Sequence, residues 1–182
     1  EKEMATPAYY PLSLNALVNA CNQKSNRDPV VSYDEDTVLF ALESLQEKAL
    51  VWKSDLGRVS KYEEVFIKSK KLVNHEAAVL CVLLLRGPQT QGEIKGRTER
   101  LYKFKDLEEV AETLSSLMEW GYVKKMERHP GRKERRYTHL LAGEPKEEER
   151  DLPSETVIRV SRDEGKIGEL EAEIHELRTE LE

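Results

Sequence analysis

The chain has 182 residues, 38% hydrophobic and 35% charged side chains, and a formal net charge of -6. That balance fits a soluble, charge-rich protein, and no apolar run is long enough to cross a bilayer. The overall negative charge also provides no long-range attraction toward nucleic acid, so any such contact must come from a local basic surface.

Glu1 to Tyr10 is too short for a complete opening helix, and the start at Glu1 without Met reads as an internal fragment with no visible signal peptide. Leu14, Leu17, Val18 and Cys21 then form a helical stripe after Pro11, with Ser13 as the expected cap. Asn22 to Val30 is polar and aperiodic and ends in Asp28-Pro29, the signature of an ordered loop. Its Lys24, Asn26 and Arg27 are candidates for contact with phosphate; alternatively, Asn22, Ser25 and Asn26 satisfy backbone groups in a tight connection.

Ser32 and Glu35 have capping-box spacing, and the next helix should bury Val38, Leu39, Leu42 and Leu45. Its opening carries Asp34, Glu35 and Asp36, which suit a helix N-terminus and repel phosphate. Leu50 to Lys53 and Arg58 to Tyr62 should form a hairpin turned at Asp55-Leu56-Gly57. Helix followed by hairpin is half of a winged helix.

The order then repeats. Glu76 to Leu85 is apolar on nearly all sides, as expected of a central helix, and Gly87-Pro88 ends it. Thr90 and Glu93 form a second capping-box pattern ahead of Ile94, and Arg97, Arg100, Lys103 and Lys105 follow in an irregular stretch. Asp106 to Trp120 should be a helix with Leu107, Val110, Leu114 and Leu117 inward and an acidic first turn. Gly121 stops it, and Tyr122 to Glu127 and Arg135 to Leu141 should pair across His129-Pro130-Gly131. Val38, Leu42, Leu45 and Val51 match Val110, Leu114, Leu117 and Val123 at an offset of 72, while Pro11, Ser13 and Leu17 match Pro88, Thr90 and Ile94.

The second hairpin is the basic element. Lys124, Lys125, Arg128, Arg132, Lys133, Arg135 and Arg136 face only Glu127 and Glu134 between residues 124 and 136. Guanidinium forks pair well with phosphate and can enter a minor groove. The competing expectation is a solvated hairpin whose arginines pair with the acidic helices or tail.

After Ala142 comes an acidic linker, and residues 144–182 hold 14 acidic and 6 basic side chains. Ile167, Leu170, Ile174, Leu177 and Leu181 alternate spacings of three and four, and Glu173 would face Arg178 of a parallel partner. A coiled-coil helix that makes a homodimer or docks on a partner is expected there.

The block EKEMATPAYYPLSLNALVNACNQKSNRDPVVS, with KYE at Lys61 to Glu63, AVLCVLLLRGPQTQGEI and PGRKERRYTHLL, resembles the YceH-like family of uncharacterised bacterial proteins over about residues 1 to 143. In that family further residues precede the block, which agrees with an incomplete first helix. The resemblance implies a pair of winged-helix domains with a variable coiled-coil tail and carries no activity with it. The tandem arrangement is also similar to segregation and condensation protein B, whose winged helices serve protein assembly.

The expected fold is therefore mainly α with small β-hairpins, an α+β chain of two tandem winged-helix domains at 1–72 and 73–143, with linker and coiled coil at 144–182. No glycine-rich phosphate cradle or nucleophile constellation is present, and His75, His129, His139 and His175 lack metal-ligand spacing. A non-enzymatic protein without cofactor or metal is expected. Cys21 and Cys81 sit among apolar neighbours as buried reduced thiols, which suits the cytoplasm. Two functions stay open: weak, salt-dependent contact with DNA through the second hairpin, or a protein-interaction scaffold without direct DNA binding. Neither involves a membrane.

Overall fold

The computed structural model describes residues 1–128 and 134–143. The expected coiled-coil positions Ile167, Leu170, Ile174, Leu177 and Leu181, and the turn residues Arg132 and Lys133, lie outside the described residues. Glu1–Pro145 form one compact unit, and Lys146–Glu182 fall in a second. The described chain is mixed α+β, mainly helical, with two small antiparallel sheets.

The first lobe opens with a short helix α1 (Lys2–Ala5) and a 3-10 turn (Pro7–Tyr9). Strand β1 (Leu12–Ser13) leads into α2 (Leu14–Cys21), whose N-terminus is capped by Ser13 accepting from the Ala16 amide at 3.4 Å. Helix α3 (Glu35–Glu47) is capped by Asp34, which accepts from the Thr37 amide at 2.8 Å. The cap expected at Ser32 is thus displaced. Asn22 accounts for the shift, because its amide grips the Tyr33 backbone from both sides, at 2.7 and 2.8 Å, and holds that segment in the connection.

Only Val38 and Leu42 of α3 are fully buried. Leu39 is half-buried and Leu45 is 36% exposed, against the expectation that all four would be covered. Among the described residues α3 packs on α2 and on β2 (Val51–Ser54), which pairs with β3 (Lys61–Glu64), and these elements cover the face of Val38 and Leu42. An apolar cavity of about 620 Å³ opens among Leu17, Cys21, Val38, Leu42 and Tyr62.

The three strands pair antiparallel in the order β1-β3-β2. Strand β3 starts three residues later than expected. Ser60 donates its hydroxyl to Asp55, which closes a loop over 55–60 and keeps Arg58 to Ser60 out of the ladder.

A short helix α4 (Phe66–Lys70) ends at Lys71 in a left-handed conformation and delivers Phe66, Ile67 and Leu72 to the second core. Helix α5 (Asn74–Arg86) runs through that core with Val79, Leu80, Val82 and Leu83 buried. It stops at Gly87, whose φ of 67° a side chain would resist. Helix α6 (Gln91–Thr98) carries the expected capping box: Glu93 accepts from the Thr90 amide at 2.9 Å, and Thr90 accepts from the Glu93 amide at 3.3 Å. Helix α7 (Leu107–Glu119) is capped by Asp106 and followed by Gly121 at φ 72°. Strands β4 (Val123–Lys125) and β5 (Tyr137–His139) complete the lobe. They are shorter than the expected strands, and the ladder extends outward through the Met126 amide to the Arg136 carbonyl at 2.8 Å.

The duplication reaches into the registers. Leu12 pairs with Tyr62 in the first lobe, and Gln89, the residue in the place of Leu12, bridges Tyr137, the residue in the place of Tyr62. Asp34 and Asp106 cap corresponding helices. The two copies differ in cover. In the second, α5 packs on Ile94, Val110, Leu114 and Leu117, whereas the first has a cluster of only Val38, Leu42 and Tyr62 fully buried.

Candidate functional site

The site is built from the second hairpin, the α5–α6 connection and the loop after α2. Tyr137 fixes the base of the hairpin, since its amide donates to the Gln89 carbonyl at 2.8 Å and its carbonyl accepts from the Gln89 amide at 3.0 Å. Its ring is buried, its hydroxyl accepts from Gln91 at 3.1 Å, and the Lys125 ammonium lies 5.7 Å from the ring centroid. Lys124, Lys125, Arg128 and Arg135 are exposed along this hairpin.

Arg136 has another task. Its guanidinium donates to the Pro88 carbonyl at 2.6 Å and forms an ion pair with Glu93 at 3.1 Å. Glu93 also takes Arg97 at 3.4 Å. Burial alone would raise the Glu93 carboxyl; the Thr90 amide and the Arg136 and Arg97 charges outweigh it and hold the group below the usual range.

In the loop after α2, Lys24 is exposed, whereas the Arg27 side chain is only 7% exposed. Arg27 pairs with Glu1 at 2.6 Å and donates to the Ala20 carbonyl at 2.9 Å, so it braces the first lobe. Asn26, at φ 57°, accepts from Arg86 at 3.4 Å, and the Asp28 amide donates to the Leu85 carbonyl at 3.0 Å. The loop therefore rests on the end of α5 at Leu85 and Arg86, and the hairpin is anchored at Pro88, two residues further on. Of the candidate cations, the fold brings the loop and the hairpin to one connection and commits Arg27 and Arg136 to internal ion pairs.

The acidic residues opening α7 also have structural tasks. Asp106 caps the helix by accepting from the Glu109 amide at 2.9 Å, and Glu109 accepts from the Tyr102 hydroxyl at 2.7 Å and the Lys105 amide at 2.8 Å. Those contacts, the Tyr102 hydroxyl first, hold Glu109 below the ordinary carboxylate range. That acidic helix end suits base reading poorly.

Arg86 was not legible as a site residue, because it closes an apolar helix where a basic residue suits the helix dipole. Cys21 and Cys81 are free and half-buried, a little more open than expected, and burial raises both thiols, so neither is an activated nucleophile. No group of three His, Cys, Asp or Glu able to hold a metal occurs among the described residues, and no helix there is long and apolar enough to cross a membrane.

A pH effect originates on the first lobe. Burial, then a hydrogen bond with Glu64, raises the Glu3 carboxyl above its ordinary value. A raised carboxyl stabilises the fold below its unfolded value, and that contribution disappears as pH rises through the folded value. Glu3→Gln should therefore be more stable than the parent at pH 8 and lose that advantage by pH 4, as thermal melts across that range would register. Equal melting differences at both pH values would contradict the raised Glu3 carboxyl.

The family model described as "Protein of unknown function, DUF480" matches residues 1–132. A UPF0502 protein of Solibacter usitatus is 52% identical over 183 residues, covering 100% of this chain and 88% of its own length. Another from Koribacter versatilis is 50% identical over 185 residues, with coverage of 97% and 84%. A third, from Citrifermentans bemidjiense, is 55% identical over 149 residues, with coverage of 80% and 69%.

Proposed function

We propose, from the premise that this chain belongs to the UPF0502 (DUF480) family of bacterial proteins, that it is a non-enzymatic tandem winged-helix protein that contacts nucleic-acid phosphate through its second hairpin. The winged-helix reading is supported by the order of three helices and a hairpin in the second lobe, with Gln89 bridging Tyr137 of that hairpin, and by the β1-β3-β2 sheet of the first. The phosphate reading rests on one observation: the Asn26 loop and the basic hairpin converge on the two ends of one short connection, Arg86 to Pro88. Lys24 of that loop and Lys124, Lys125, Arg128 and Arg135 of the hairpin are exposed.

Such a surface reads backbone rather than bases. Phosphate contacts position a protein on a duplex without specifying sequence, and the acidic opening of α7 disfavours a helix in the major groove. Binding should be weak, non-specific and steeply dependent on salt. Arg136 is not a useful probe, because its loss would also unpair Glu93. Arg132, Lys133 and Arg135 changed together to Gln are better. A mobility shift at low ionic strength should retain duplex DNA with the parent chain and lose it with this triple variant. No retention by the parent would end the phosphate reading.

A second reading, a protein-interaction scaffold, is favoured by the exposed apolar side chains of the first lobe. Phe40 is 75% exposed, Leu56 at the hairpin tip 99%, and Trp52 stands exposed on β2. Exposed large apolar side chains suit a protein partner better than phosphate. In this case, DNA retention would be absent while Trp52→Ala abolished binding to that partner.

A further inference from the structure

We infer that the cleft bounded by Arg86, Arg97 and Arg100 is a binding site for a single phosphate group. The three arginines come from the last turn of α5, from α6 and from the residues just after α6, and they line one small cleft with Glu1 and Asn26. The cleft encloses about 20 Å³, which admits the oxygens of one tetrahedral anion or one or two waters and excludes a base or sugar.

Charge accounting carries the assignment. Like charges gathered at a protein surface repel unless an anion or carboxylates offset them. Glu1, the only carboxylate lining the cleft, is engaged with Arg27 at 2.6 Å. The nearest acidic group to Arg97 is Glu93 at 3.4 Å, and Arg136 shares that carboxylate at 3.1 Å. Arg86 meets only the amide oxygen of Asn26, at a long 3.4 Å, and its Nε is buried with no acceptor among the described residues. The α5 C-terminus offsets part of the Arg86 charge, but it leaves that donor unfilled and does nothing for Arg100. Arg100 is exposed, with no ion pair among the described residues.

Guanidinium groups offer donors in a planar fork that matches phosphate oxygens. A phosphate lodged here would place its negative charge between the arginines. The group can belong to free phosphate or a phosphomonoester, or to the backbone of a nucleic acid crossing the α5–α6 connection. This site does not depend on the basic hairpin. Arg97 is better left intact in a test, since it also pairs with Glu93.

The test uses the full chain, with inorganic phosphate as the probe. Thermal melts in 20 mM phosphate and in chloride of equal ionic strength should differ by about 5 °C if phosphate binds with a Kd of about 1 mM. Arg86→Gln with Arg100→Gln should remove the difference, while Arg135→Gln on the hairpin should keep it. Duplex DNA added to the phosphate-bound chain separates the two sources: displacement of phosphate assigns the cleft to backbone phosphate, and coexistence assigns it to a free anion. Equal melting in phosphate and chloride, or an undiminished phosphate effect in the double variant, would overturn the site. Should the double variant fail to fold, Arg100→Gln alone must at least halve the phosphate effect, and an unchanged effect would count against the cleft. Failure of the parent to retain DNA would leave the phosphate melts unaffected, so the two proposals fail separately.

Discussion

Leu114→Ala is expected to lower the unfolding free energy by about 3–4 kcal/mol, because the side chain is enclosed on every side and its removal leaves a cavity that its neighbours cannot fill. Leu114 sits in the second core with Val79, Leu83, Ile94 and Leu117, drawn from three helices. Its counterpart in the first lobe, Leu42, borders the 620 Å³ cavity and packs in a cluster with only two other fully buried residues. Leu42→Ala removes the same atoms from a site where water and side chains can already rearrange, so its cost should lie near the low end for such a change, about 2 kcal/mol. Urea unfolding of both variants, with the slope unchanged, measures the difference directly. Equal losses would mean that the two copies are packed alike, contrary to the cover described above.

Glu93→Ala should cost about 2 kcal/mol, less than the core cavity and more than an ordinary surface change. The carboxylate closes the capping box of α6 through the Thr90 amide, at 2.9 Å, and holds Arg136 and Arg97 at 3.1 and 3.4 Å. About half of the loss belongs to the cap; the ion pairs, with side chains roughly a quarter to a third exposed, contribute the remainder after solvent screening. Glu93→Gln separates the two, since its amide oxygen can still accept from Thr90 while the charge is gone, and about 1 kcal/mol should return. The pH signature is opposite in sign to that of Glu3. Because the Glu93 carboxyl is depressed, its contribution is present above the unfolded carboxylate value and is lost as pH falls through the folded one. The gap between parent and Glu93→Ala should therefore narrow in acid. A gap independent of pH would show that the charge is not what matters.

What the sequence disclosed depended on whether local chemistry or distant packing decided each feature. Thr90 with Glu93, Gly87 and Gly121 announced helix ends because caps and left-handed residues act within a few residues of themselves, and the structure has each in place. The correspondence between the two halves was legible at Val38, Leu42 and Val51 with Val110, Leu114 and Val123, and it extends to a pairing register that no single segment could reveal, Leu12 with Tyr62 and Gln89 with Tyr137. Leu45 was misjudged because its spacing fits a buried stripe, whereas burial depends on what covers the helix. Ser32 was misjudged because Asn22, ten residues upstream, fixes Tyr33 in the connection.

The basic residues show the same division. Composition identified the hairpin as cationic, yet it could not separate Arg136, which is held by Glu93 and the Pro88 carbonyl, from exposed Arg135 beside it. Arg27 likewise looked available in a polar loop and turned out to brace Glu1 and the end of α2. Arg86 drew no notice, since its meeting with Arg97 and Arg100 arises from the turn between two helices.

The most direct test of phosphate contact by the second hairpin is the salt dependence of duplex binding by fluorescence anisotropy, with two duplexes of unrelated sequence. The expected result is nearly equal affinity for both and a steep linear fall of log K with log salt, the slope shrinking by up to about 3 when Arg132, Lys133 and Arg135 become Gln. A slope unchanged by that triple substitution, or a strong preference for one duplex that persists at high salt, would contradict it.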